Sequence, residues 1–203
     1  MRELQSGLWH WQARHPEWTE DEPWDPEVSS YALDDGKRLL LFDPRAVPDE
    51  IEDLAARRQP VVVPTAPWHE RDTQGVVEHL HAPVYVAQPD PGSPDVAWLL
   101  GDDALEAHLI SGGDRLPFGI EAFAGRQPND LLLWIESRRA VICGDTLADF
   151  GRGIEIHAEW LWGVTREQVV EALRSLVALP VEPVLPAHGA PTDRAAFERA
   201  ALA

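Results

Sequence analysis

Apolar positions fall into short strand-like runs near the start of the chain, and these give way to runs that alternate with helical stretches. Residues 28–33 and 38–43 flank Asp34-Asp35-Gly36-Lys37, and Asp-Gly between two such runs predicts a hairpin. Upstream, the first 27 residues are polar and tryptophan-rich. Trp9 and Trp11 stand at strand spacing on one face, which predicts an N-terminal strand and loop whose indoles cover the core rather than line a ligand pocket. Pro48 with Asp49 and Glu50 opens a helix, where proline and acids suit the exposed N–H groups and the dipole. Val61-Val62-Val63, within 60–65, suits a strand buried on both faces.

The alternation continues with a helix over 73–80, a strand over 83–87, and short strands and turns over 96–116. Residues 131–135 and 140–143 form a strand pair joined through 136–139. Thr165 and Gln168 make a capping-box pair at the head of a helix with an apolar stripe of Val169, Val170, Leu173, Leu176 and Val177, and Pro180 stops it. A strand over 181–186 and a terminal helix from Pro191-Thr192-Asp193 to Leu202 complete the pattern. The linkers are short and evenly spread. This predicts one domain over 1–203, a layered α/β fold with mixed sheets.

Composition narrows the function classes. The 35 acidic residues against 17 Lys and Arg give a net charge of −18, which opposes nucleic acid and anionic membrane as partners and leaves a small-molecule ligand as the expected one. The single cysteine, Cys143, allows no internal disulfide and no multi-cysteine metal site; on its apolar strand it reads as a buried small hydrophobe. No apolar stretch follows Met1-Arg2-Glu3, and no run approaches the ~18 residues of a membrane span, so the cytoplasm is the expected address.

Three loops carry candidate chemistry, each just after a strand: residues 65–72, Gly144-Asp145-Thr146, and Ala187-His188-Gly189-Ala190. Taken singly, a Gly-Asp is an ordinary turn and a His-Gly an ordinary loop or cap. In layered α/β folds, however, ligands gather at the carboxyl ends of strands, so three such loops are expected to converge. Among the other histidines, His79 and His81 flank a helix end, His108 lies in an apolar segment, and His10 and His15 belong to the N-terminal lid. His157 follows the Asp145 loop closely enough to reach a cleft.

Gly144-Asp145, His188-Gly189 and the 124–129 segment, in that setting, resemble the metallo-β-lactamase superfamily. The resemblance spans nearly the whole chain. It implies a four-layer αββα sandwich of two mixed sheets flanked by helices, with metals at one edge. The family's hallmark is a Thr-His-x-His-x-Asp-His loop; a further histidine lies in a Pro-Gly-His-Thr-Pro-Gly segment, a Gly-Asp bridges the metals, and a His-Gly comes late. Asp145 matches the bridging carboxylate and His188 the terminal histidine. Laying Thr65 on the family's threonine puts Ala66 and Trp68 at two histidine positions, Glu70 at the aspartate and Arg71 at the third histidine, and Arg126 falls on the middle histidine. Arginine has no lone pair to offer a metal. A one-residue bulge would instead give His69, Asp72, Asp145 and His188, a set that suits zinc, or less well iron or manganese; a hydrogen-bonded loop histidine is the plainer reading of His69.

Two functions follow from the resemblance. One is a hydrolase of small ester, amide or phosphoester-type substrates with a reduced or relocated site: Asp145, His188 and His69 catalytic, Asp72 and Glu70 as further ligands, and Trp68, Arg71 and Arg126 on the substrate. The other is a non-catalytic scaffold, binding a ligand or a protein and holding no metal, in which arginines replace the metals. Either way a carboxylate at 145 without its histidines needs a nearby cation, so a guanidinium is expected within hydrogen-bonding reach of Asp145 or Glu70.

Overall fold

The structure, a computed structural model, describes residues 1–90, 97–100 and 105–202. Two compact units divide the chain, one of residues 1–18 and 27–110, the other of 19–26 and 111–203.

The first unit is built on a seven-stranded sheet in the order β1 to β7: β1 (Arg2–Gln5), β2 (Leu8–Arg14), β3 (Glu27–Asp34), β4 (Arg38–Phe42), β5 (Gln59–Val63), β6 (Val84–Ala87) and β7 (Ala107–Ile110). The first four strands pair antiparallel and the last four parallel, so the sheet is mixed. The hairpin turn forms where Asp-Gly placed it, with Gly36 at φ +89°. Helices α1 (Asp49–Ala55) and α2 (Thr73–Leu80) follow β4 and β5, and the short α3 (Ala97–Leu100) precedes β7. Trp11, Ala32, Leu39, Leu41, Ile51 and Ala55 form one apolar cluster, with Trp9 packed against it; the paired tryptophans are core. A second cluster gathers Val62, Ala82, Val84, Val86 and Trp98. Of the stretch expected as short strands and turns, residues 96 and 101–104 lie outside the described residues.

The second unit has a six-stranded mixed sheet. Its order is β15 (Thr192–Asp193), β14 (Pro183–Leu185), β11 (Ala140–Ile142), β10 (Leu131–Ile135), β9 (Ile120–Ala124) and β8 (Arg115–Leu116). Among its described strands only β11 and β14 pair parallel. A small ribbon pairs β12 (Ala148–Asp149) with β13 (Ile154–Glu155). Helices α4 (Arg166–Val177) and α5 (Arg194–Leu202) bury Val169, Leu173, Leu176, Phe197 and Ala201 on this unit's core. Both halves of the capping box form: the Thr165 side chain accepts from Gln168 N, and the Gln168 side chain accepts from Thr165 N. The terminal helix starts later than the sequence suggests, because Thr192 and Asp193 first pair with β14; the Asp193 carboxylate then accepts from Ala196 N. No helix among the described residues is long and apolar enough to cross a membrane.

Strand direction decides where side chains meet. β4 and β5 run parallel with Phe42 opposite Val63, so the residues after them emerge at one end of their sheet. β11 and β14 run parallel with Ile142 opposite Leu185, so the Asp145 and His188 loops emerge together as well.

His10 has a measurable consequence. It is 8% exposed, shares a 2.9 Å hydrogen bond with Ser29 Oγ, and stacks on Tyr31. Burial, then the charges of Arg2 and the terminal amine, lower its pKa from 6.5 to about 4. Between those values the unfolded chain binds a proton that the folded chain refuses, so stability falls as the pH drops through this window and levels off below it. Urea titrations of wild type and His10→Gln should diverge between pH 7 and pH 4 by on the order of 3 kcal/mol, with the variant showing the flatter dependence.

Candidate functional site

In the second unit the Asp145 and His188 loops meet through backbone as well as side chains. Cys143 N donates to Leu185 O at 3.1 Å, and Asp149 N donates to His188 O at 2.9 Å. Gly189 allows the approach: its φ is +104°, and a Cβ there would lie 2.5 Å from Asp149 Cβ. Asp145 Oδ1 lies 3.4 Å from His188 Nε2. Trp24 and Trp160 stand edge-on to the His188 ring at 4.5 and 5.2 Å between centroids, so the imidazole has an aromatic wall.

The other Asp145 oxygen meets a guanidinium. Arg126 Nη2 donates to Asp145 Oδ2 at 3.0 Å, with the Arg126 side chain only 2% exposed. Arg126 Nε donates to Asp130 Oδ2 at 3.0 Å, and Nη1 donates to the Trp160 carbonyl. The guanidinium carbon sits 4.2 Å from the Trp162 ring centroid and 5.5 Å from that of Trp160. A planar fork serving two carboxylates and lying against indoles is arginine chemistry that lysine cannot copy. The cation expected beside Asp145 is therefore Arg126. Through Nε and Nη2 it serves both Asp130 and Asp145.

Asp130 organises this corner. Its Oδ1 accepts from Asp145 N, and its Oδ2 accepts from Thr146 Oγ1 at 2.7 Å. Burial, against the pull of Arg126 and with the push of Asp145, raises its pKa to about 6. The close approach requires Gly125, where a Cβ would fall 1.9 Å from Thr146 Oγ1. Sequence reasoning does not single out Asp130. Its signal is faint, an Asn-Asp just before an apolar strand.

In the first unit, His69 is held from behind. Asp43, 1% exposed, accepts from Thr65 N and Thr65 Oγ1, both at 2.7 Å. Thr65 Oγ1 lies 2.9 Å from His69 Nδ1, and Asp43 Oδ2 lies 3.3 Å from the same nitrogen. Burial works against the charge of Asp43, but His69, then Arg71 and Thr65 N, outweigh it and hold the carboxyl below its usual range. Asp43 is also missed by sequence reasoning, although a carboxylate directly after Leu39-Leu40-Leu41-Phe42 carries the same strand-end signal as Asp145. Trp98 Nε1 anchors this loop by donating to Pro67 O at 2.8 Å.

The remaining candidates have partners of their own. Asp72 is bound by the Arg45 guanidinium and by Ala46 N at 2.6 Å, tying two loops of its own unit. Arg71 Nη1 donates to the carbonyls of Ser29 and Asp43 at 2.6 and 2.9 Å. Glu70 is half-buried; burial, helped by Glu17, raises its pKa. Trp68 is half-buried with its ring edge-on to His69. His157 Nε2 donates to the Ala148 carbonyl in the ribbon at 2.9 Å, and its ring stacks on Phe150. Cys143 is fully buried, and burial pushes its thiol pKa up, so it is no nucleophile.

As a donor set, the second unit offers Asp145 Oδ1 and His188. A catalytic metal centre takes about three protein ligands, and a two-metal centre more. The position that the resemblance gives to a middle histidine holds a buried arginine bonded to Asp145, and arginine offers a metal no lone pair. Removing the guanidinium should leave Asp130 and Asp145 buried without their cation. Arg126→Ala is expected to cost about 3–5 kcal/mol in urea unfolding, and Arg126→Lys to recover less than half of that.

Neither a protein-family model nor a curated protein sequence matches the chain. Solved structures do. The B3 metallo-β-lactamase BLEG-1 is 18% identical with a TM-score of 0.64, covering 94% of this chain and 97% of its own. TTHA1623 in a di-iron-bound form is 23% identical with a TM-score of 0.63, covering 86% and 93%. TTHA1429, a metallo-β-lactamase family protein from Thermus thermophilus, is 15% identical with a TM-score of 0.64, covering 98% and 80%. Two mixed sheets with their helices, similar over almost the full length to these proteins, give this chain the metallo-β-lactamase fold.

Proposed function

We propose that this chain is a hydrolase-type protein with a reduced, single-metal site, in which Asp145 and His188 are ligands of one divalent ion and Arg126 takes the place of a second. The observation that carries this reading is the division of Asp145: Oδ2 is given to Arg126 at 3.0 Å, and Oδ1 faces His188 at 3.4 Å. A carboxylate that bridges two metals elsewhere in the fold here has one oxygen for a permanent organic cation and one for an ion. Imidazole and carboxylate donors suit zinc, with iron second. A bound ion of this kind supplies a water acidified toward neutral pH and a Lewis acid for an ester, amide or phosphoester group.

The chain's own residues do the rest. Asp130, through Asp145 N, fixes the loop that carries the ligand carboxylate. The rings of Trp24 and Trp160 restrict His188 and exclude water from its flanks. Trp68, half-buried beside His69, offers an apolar surface to a small substrate. A second reading is favoured by Arg126 alone. It already neutralises Asp145, so the scaffold would be stable without any ion and would bind a ligand or protein without catalysis.

Elemental analysis of protein purified without chelator separates the two. One divalent ion per chain is expected, lost in His188→Ala and in Asp145→Asn, with slow ester or phosphodiester hydrolysis that tracks metal content. Two ions per chain would overturn the role given to Arg126, and a chain that takes up none would establish the scaffold.

A further inference from the structure

The geometry behind His69 assigns a role to two residues outside the ligand set: we propose that Asp43 and Thr65 are positioning residues that lock His69 with its hydrogen on Nδ1, so that Nε2 is the nitrogen presented for binding. It goes beyond the single-metal reading above in making His69 a donor imidazole for zinc, and its geometry does not depend on that reading. Thr65 has one hydroxyl hydrogen, and it is directed at Asp43 Oδ2 at 2.7 Å. Toward His69 Nδ1, 2.9 Å away, the same oxygen then acts as acceptor. Asp43 Oδ2, 3.3 Å from Nδ1, is likewise an acceptor. A lone pair on Nδ1 would face two oxygens and be repelled, whereas a hydrogen there is welcomed by both. The Nδ1 hydrogen is kept in imidazolium as well, and in the neutral ring the lone pair is then on Nε2.

The pair is buried and its groups are bonded to one another. Asp43 and Thr65 are 1% and 0% exposed, and each follows one of two adjacent parallel strands. Thr65 N donates to Asp43 Oδ1, so the carboxylate cannot rotate away without giving up a buried donor. Asp43 itself is at φ +45°, a left-handed conformation that aspartate tolerates, and its carbonyl accepts from Ser30 Oγ and Arg71 Nη1. His69 N donates to Ala66 O in the turn that brings the ring back over Thr65. An imidazole whose far nitrogen is fixed by a carboxylate or hydroxyl is oriented and made a better ligand, and loss of such support costs about 10–100-fold in metal affinity.

Two measurements test this. Long-range nitrogen–proton correlation spectra of the metal-free protein at neutral pH should show His69 as the Nδ1–H tautomer. Thr65→Ser should keep that signature, and Thr65→Val and Asp43→Asn should shift it toward Nε2–H. Competition titrations with zinc should find affinity within about threefold of wild type for Thr65→Ser and weakened about 10–100-fold for Thr65→Val. An Nε2–H tautomer in wild type overturns the proposal outright, whether or not the other variants fold. So does a folded Thr65→Val that binds zinc as wild type does. Wild-type protein that binds no zinc yet shows the Nδ1–H tautomer defeats only the metal reading and leaves the positioning role in place.

Discussion

A carboxylate taken out of water must be met by donors or by a cation, and that constraint shapes both units of this protein. In the first, Asp43 is met by Thr65 N, by the Thr65 hydroxyl and by His69, and the loop after β5 is drawn into place by satisfying it. In the second, Asp130 and Asp145 share the Arg126 guanidinium, and Gly125, Thr146 and the 158–162 segment are arranged around that sharing. The two solutions differ in consequence. Donors leave a histidine oriented for use, whereas the guanidinium consumes one side of Asp145.

Parallel pairing is the second organising element. Most strand pairs among the described residues are antiparallel, and Asp43, Thr65, Asp145 and His188 sit after parallel ones: β4 with β5, and β11 with β14. Only parallel neighbours deliver two consecutive loops to the same end of a sheet. The remaining strands supply cover and apolar mass.

Much of this was legible in the sequence because it is written in local chemistry. Asp-Gly at 35–36, Pro48 before two acids, and Thr165 with Gln168 each impose a backbone outcome within a few residues, and those elements form where expected. Asp145 and His188 were legible as strand-end residues, and so was the need for a cation beside Asp145. Asp130 and Asp43 were not, because their importance lies in partners 15 to 22 residues away, a separation that periodicity does not encode. Asp72 shows the same distance problem. A one-residue bulge of its loop made it a candidate ligand, and the Arg45 guanidinium that binds its carboxylate comes from a loop 27 residues away. The short β15 was missed because two residues have no period.

Arg126 carries an implication for engineering. Placing a histidine at that position would not by itself create a metal centre, because an imidazole is too short to serve Asp130 and Asp145 together and would also abandon the Trp160 carbonyl and the face of Trp162. Each of those groups is fitted to the guanidinium, so the lone exchange meets a cost before any ligand is gained. The arginine is the keystone of a matched set, and position 126 can be redesigned only together with its neighbours.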